Sequence, residues 1–79
     1  MKVAAIKPLV ETYTIDELRK AEENMYNEEP LSIEVEGADE GERLTHILAA
    51  IEILHDMAKG VDYKTALRNY SSRVRNSIN

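Results

Sequence analysis

Residues 44–58 carry more apolar side chains than one packing face can hold. At about 100° per residue, Leu44, Ile47, Leu48, Ile51, Leu54 and Ala58 form a helical strip roughly 120° wide, and Ala50, Ile53 and Met57 form a second strip beside it. That leaves Thr45, Ala49, Glu52 and Asp56 as the expected solvent side. A helix apolar around so much of its girth belongs in a core or an interface. The chain has only 79 residues and no cysteine, and a core this small rarely supplies more than roughly 3 to 5 kcal/mol without disulfides, metal or oligomerisation. The expectation is a homodimer or higher homo-oligomer, with Ala50, Ile53 and Met57 as the interface.

The length allows one domain, 1–79. Cysteine-based zinc and thiol chemistry are excluded. The opening Met1-Lys2-Val3-Ala4-Ala5-Ile6-Lys7-Pro8 is too short an apolar run for a secretory signal, and no stretch approaches the roughly 18 apolar residues of a membrane span, so a cytoplasmic protein without membrane contact is expected. The net charge of −5 disfavours nucleic-acid binding, which rests on neutralising phosphates. The charge is unevenly spread: residues 1–60 hold 6 basic and 14 acidic side chains, and residues 61–79 hold 4 basic and 1 acidic. A basic tail follows an acidic body.

Lys2 to Ile6 is β-prone, and Pro8 would close such a strand because it cannot donate to a ladder. Thr14-Ile15-Asp16-Glu17 has the form of a capping box, which starts a first helix over about 15–27 that stops before Pro30. Leu31-Ser32-Ile33-Glu34-Val35-Glu36 alternates with period two and reads as a strand ended by Gly37. Asp39 to Glu42 opens a second helix, with Gly60 beyond its end. Asp62 caps a third, whose apolar stripe is Tyr63, Leu67, Tyr70, Val74 and Ile78. The predicted fold is therefore α+β, β-α-β-α-α, helix-dominated, with two short strands that oligomerisation could complete into a larger sheet.

Four constellations bear on chemistry. Glu52-x-x-His55 has the spacing that puts two metal ligands on adjacent helical turns, although carboxylate-bridged sites need two such motifs and two further Glu residues. His55 falls on the main apolar strip, where a hydrogen-bonded core histidine is the commoner finding. Glu42 and His46 form an i, i+4 pair within an acidic cluster that also holds Glu34, Glu36, Asp39 and Glu40. Its spacing is not that of a calcium loop. Glu22, inside the stripe of the first helix, is expected to lean to water. Lys64, Arg68 and Arg75 share one strip of the third helix with Ser71, near Tyr63 and Tyr70. Basic residues among aromatics can bind nucleic acid, but three charges on a net −5 chain read rather as a solvated face, or as one that meets the acidic segment around Glu34 to Glu42 on the same or a neighbouring subunit. No phosphate loop or nucleophile triad is present.

Ile6-Lys7 with Leu9, Asp16-Glu17-Leu18, Glu42 with Leu44, Met57-Ala58-Lys59-Gly60, Lys64-Thr65-Ala66-Leu67 and Arg73-Val74-Arg75-Asn76-Ser77-Ile78 resemble a small bacterial family of unknown function. The resemblance covers most of the chain, implies a complete stand-alone protein and transfers no catalytic residue. Over the first 36 residues, Met1-Lys2, Ile6-Lys7-Pro8, Asp16-Glu17-Leu18 and Leu31 to Glu36 are also similar to the opening strand-helix-strand of PII-type signalling proteins. The nucleotide-binding loop of that family has no counterpart here, so ATP binding is not implied.

The chain reads as a small self-associating binding or regulatory protein that mediates protein interaction, with no cofactor. Its expected acidic protein partner would meet Lys64, Arg68 and Arg75. The rival reading is a small enzyme or metal-binding oligomer that uses Glu52 and His55 or Glu42 and His46. A closed pocket in which Glu22, His46 or His55 converges with other polar groups would favour that rival.

Overall fold

A computed structural model describes residues 2–76 as four helices: α1 (Val3–Thr12), α2 (Ile15–Tyr26), α3 (Glu40–Ala58) and α4 (Tyr63–Asn76). Among the described residues there is no strand, and the α+β expectation is corrected to an all-helical fold. Helices α1, α2 and α4 each pack on α3, and Lys7 of α1 also reaches over the Tyr63 ring of α4, 6.0 Å from its centroid.

The segment expected as the first strand is the start of α1. Ala5, Ile6, Leu9 and Val10 are buried at i, i+1, i+4 and i+5, a helical spacing that continues to the half-buried Tyr13. Pro8 sits inside this helix. A proline there costs about 3 kcal/mol, whereas burying Ile6, Leu9 and Val10 gains roughly 1.5 to 3 kcal/mol for each side chain. Burial wins. Pro8 and Ala4 are both exposed, so the Ala4 carbonyl that loses its helical donor can be hydrated.

Helix α2 begins as its capping box predicts. The Glu17 N–H donates to Thr14 Oγ1 at 3.2 Å and the Thr14 N–H donates to Glu17 Oε1 at 3.0 Å. Leu18 and Ala21 are buried against α3, and Glu22 is half-buried.

Residues 31–36 keep the predicted alternation without becoming a strand. Leu31, Ile33 and Val35 are half-buried while Ser32, Glu34 and Glu36 are exposed, yet no second strand lies alongside. Side chains supply the missing partners. Tyr13 Oη accepts from the Glu34 N–H at 3.2 Å, His46 Nδ1 lies 2.7 Å from the Glu36 carbonyl, and Glu42 Oε1 accepts from the Ala38 N–H at 3.1 Å. Gly37 passes so close to α3 that a Cβ there would stand 2.7 Å from Arg43 Cγ and 2.9 Å from its backbone nitrogen. The likeness to the opening of PII-type proteins fails here, since residues 3–36 form two helices and an irregular strap with a bend at Ser32 and Ile33.

Helix α3 starts at Asp39, whose Oδ1 accepts from the Glu42 N–H at 2.8 Å, and is followed by Gly60 at φ 98°, the left-handed conformation that ends many helices. Both of its apolar strips are used inside one subunit. Ile47, Ala50 and Ile53 have no accessible surface and Ile51 is 8 % exposed, so the expected interface residues Ala50 and Ile53 are core residues. Met57 remains half-buried at the surface and Ala58 is exposed. Ala49, expected on the wet side, is also fully buried. Helix α4 lies over that side, as the ion pairs of Arg73 with Glu52 at 3.0 Å and Asp56 at 3.7 Å show. Of the stripe expected on α4, Tyr63, Leu67, Tyr70 and Val74 are half-buried, and Ile78 lies outside the described residues. The carboxylate of Asp62 accepts from the Thr65 N–H at 3.3 Å at the start of α4.

Ile53→Ala should lower the unfolding free energy by about 2 to 5 kcal/mol, the range for truncating a buried branched side chain. Urea unfolding of the variant measures this. A variant as stable as the parent but smaller in solution would return Ile53 to an interface. A second expectation concerns acid. Hydrogen bonds from the Thr65 side chain, and then from its backbone, hold the Asp62 carboxyl below its ordinary value of 3.8. The ionised cap therefore stabilises the start of α4 above pH 3.8 and is lost as pH falls through the lower folded value. Protection of the Thr65 and Ala66 amides, taken relative to the intrinsic exchange rate at each pH, should fall only in that acid range, and Asp62→Asn should abolish this dependence.

Candidate functional site

The two histidines of α3 occupy opposite environments. His55, expected at the core, is exposed on the open side of α3. His46, four, seven and eleven positions before Ala50, Ile53 and Met57, continues their strip and has no accessible surface. That spacing was the available signal for its burial. His46 Nε2 accepts the Lys2 N–H at 3.0 Å, and Nδ1 lies 2.7 Å from the Glu36 carbonyl oxygen. A backbone N–H can only donate and a carbonyl can only accept, so the ring is neutral with its proton on Nδ1. One side chain thereby ties the start of α1 and the strap to α3. Both ring nitrogens are occupied in this role, and Glu42 is turned away to the Ala38 N–H. The Glu42 and His46 pair does not form a joint site.

On its open side, α3 floors a groove of about 700 Å³ between α2 and α4. Leu48 and Ile51 form the floor, Arg19 and Glu22 come from α2, and Tyr70 comes from α4. Glu52 and His55 both line the groove, but their partners draw them to opposite walls. Glu52 pairs with Arg73 of α4, while Arg19 Nη2 of α2 lies 3.0 Å from His55 Nε2. Because a guanidinium only donates, His55 accepts through Nε2 and carries its proton on Nδ1. Burial raises the Tyr70 hydroxyl above its ordinary pKa, with the Glu52 charge adding to the shift and Arg73 opposing it. The floor is apolar and the groove is open to solvent. Among the described residues, no group of three or more His, Asp or Glu side chains is gathered to hold a metal ion.

The remaining sequence-predicted residues lie on α4. Lys64, Arg68 and Arg75 are all exposed. Among the described residues the ion pairs are those of Arg73 with Glu52 and Asp56, so none involves this strip. The acidic strap does not neutralise it within the subunit.

No helix of the described residues is long and apolar enough to cross a membrane. A family model for a family of unknown function (DUF6952) matches residues 1–79, and the chain belongs to that family. No curated protein and no solved structure matches the chain.

His46→Phe keeps a planar ring in the core while removing both hydrogen bonds. Lys2 and Glu36 are exposed residues whose freed backbone groups water can reach, so the loss is that of the two hydrogen bonds, about 0.5 to 1.5 kcal/mol each, and urea unfolding should show it together with faster amide exchange at Lys2. A variant within about 0.5 kcal/mol of the parent, the usual range for surface changes, would show that these bonds do not hold the segments together.

Proposed function

We propose that this DUF6952 member is a small interaction protein that binds an acidic protein surface through the basic strip of α4. The observation that supports this reading is the contrast along α4. Arg73 is committed to Glu52 and Asp56, whereas Lys64, Arg68 and Arg75 are exposed and take part in no ion pair among the described residues. Three cations four and seven residues apart lie along roughly 16 Å of helix. Exposed cations of this kind contribute little to folding, since surface pairs are worth about 0 to 1 kcal/mol. Their arrangement instead suits recognition and electrostatic steering of a partner of opposite sign.

The groove supports the same reading over a catalytic one. Glu52 is drawn out of it to Arg73 and His55 is held by Arg19, so these two do not converge on a common point. Catalysis needs a nucleophile, base or electrophile aimed at a shared position. An α4 face that offers charge without a cleft is better suited to a protein surface than to a small substrate. The chain as a whole carries −5, and a polyanion such as DNA or RNA would meet repulsion from the acidic body around the strip.

Reversing Arg68 and Arg75 to Glu should leave the helical circular dichroism spectrum unchanged and remove the partner from a pull-down with the full chain. Raising salt to about 1 M, where the Debye length shrinks to about 3 Å, should release that partner from the parent protein. Capture that survives both changes would overturn the proposal. Retention on DNA or RNA at about 0.15 M salt, abolished by the same reversal, would replace it with nucleic-acid binding.

A further inference from the structure

We infer that the acidic surface recognised by α4 is the strap of a second copy of this chain, so that α4 of one subunit lies along the outward edge of residues 31–36 of another. The inference rests on the proposed role of α4 and names the partner. Two independent features of the structure lead to it, one of charge and one of spacing.

The connector between α2 and α3, residues 27–39, contains five acidic and no basic side chains. Glu28, Glu29, Glu34, Glu36 and Asp39 are all exposed. Asp39 is occupied as the cap of α3, but none of the five forms an ion pair among the described residues. This connector and the α4 strip are thus oppositely charged surfaces of one molecule that do not meet within it.

The spacing also matches. The half-burial of Leu31, Ile33 and Val35 fixes the alternation of the strap and leaves Ser32, Glu34 and Glu36 on its outer edge. The strap bends at Ser32 and Ile33 and has no further bend over Glu34 to Glu36, and residues two apart on extended backbone are separated by about 6.4 to 6.8 Å. Lys64 and Arg68, four apart on α4, are separated by about 6 Å along the helix. Glu34 and Glu36 can therefore face Arg68 and Lys64 as two parallel charge pairs. Tyr13 takes the Glu34 N–H and His46 meets the Glu36 carbonyl, so the strap backbone is tied at both positions, while the exposed Glu34 and Glu36 side chains form no ion pair among the described residues.

Each subunit carries both surfaces. A two-fold arrangement can make the contact twice and close as a dimer, in which the strip of each copy covers the strap of the other. The net charge of −5 on each copy opposes association over long distances, but at physiological salt charges more than about 8 Å apart are largely screened and the local pairs dominate. Self-association should therefore be present near physiological salt and lost at high salt, the opposite of an apolar interface.

Sedimentation velocity of the full chain at micromolar to millimolar concentration tests this. At about 0.15 M salt the parent should show a mass that rises with concentration above the 9.0 kDa of one chain, and at about 1 M salt it should return to that of one chain. The strap variant Glu34→Lys with Glu36→Lys and the α4 variant Lys64→Glu with Arg68→Glu should each lose self-association while keeping the parent's circular dichroism. An equimolar mixture of the two should associate again, because the acidic strip of one variant then faces the basic strap of the other. A parent that stays at one chain under both salt conditions, self-association unaffected by salt or by either variant, or a mixture that fails to associate would each overturn the inference. A monomeric parent that still captures a salt-sensitive partner through α4 would overturn it alone and leave the broader proposal standing.

Discussion

Two hydrogen bonds on one buried ring hold together parts of this chain that have no sheet to join them. His46 receives the Lys2 N–H and reaches the Glu36 carbonyl, so the beginning of α1 and the end of the strap meet on a single side chain of α3. In a sheet, the strap would satisfy its backbone through a neighbouring strand. Here it uses side chains. The arrangement works because His46 lies on the same strip as Ala50 and Ile53 and is carried into the core with them. Without such a tether, the strap would bury only the partial apolar face of Leu31, Ile33 and Val35, against the roughly 1 to 2 kcal/mol per residue that ordering its backbone costs.

The wide apolar girth of α3 was legible in the sequence, and so were the capping box at Thr14 and Glu17, the start of α3 at Asp39 and the left-handed Gly60. These are local features, whose spacing does not depend on what the rest of the chain does. The occupant of the second strip was not legible. With residues 2–6 as a strand that strip needs another subunit, and with α1 as a helix it does not. A proline argues strongly against a helix interior, but Ile6, Leu9, Val10 and Tyr13 at helical spacing outweigh one lost hydrogen bond on the solvent side. In the same way, the period-two pattern of residues 31–36 correctly marked which side chains turn inward, yet it could not specify whether a neighbouring strand existed.

The candidate sites show the same division. The sequence identified the Glu52 and His55 spacing, but the direction in which each side chain turns depends on Arg73 and Arg19, which are brought in by two other helices. The basic strip needed only the helical period of α4, and it is present as expected. That it forms no ion pair among the described residues depends on where the strap lies, which the helical period alone does not specify. Ala50 and Ile53 are consumed inside the subunit, so they offer no apolar seam, and the contact proposed above between α4 and the strap rests on charge instead.

The ring of His46 reports most directly on whether this architecture is right, because its tautomer depends on both segments being in place at once. Long-range nitrogen–proton correlation spectra of the folded protein should show His46 as a neutral ring protonated on Nδ1, with a ring proton that exchanges slowly with solvent. A ring protonated on Nε2, or one whose two nitrogens average rapidly as in an exposed histidine, would contradict the clamp and with it the placement of α1 and the strap on α3.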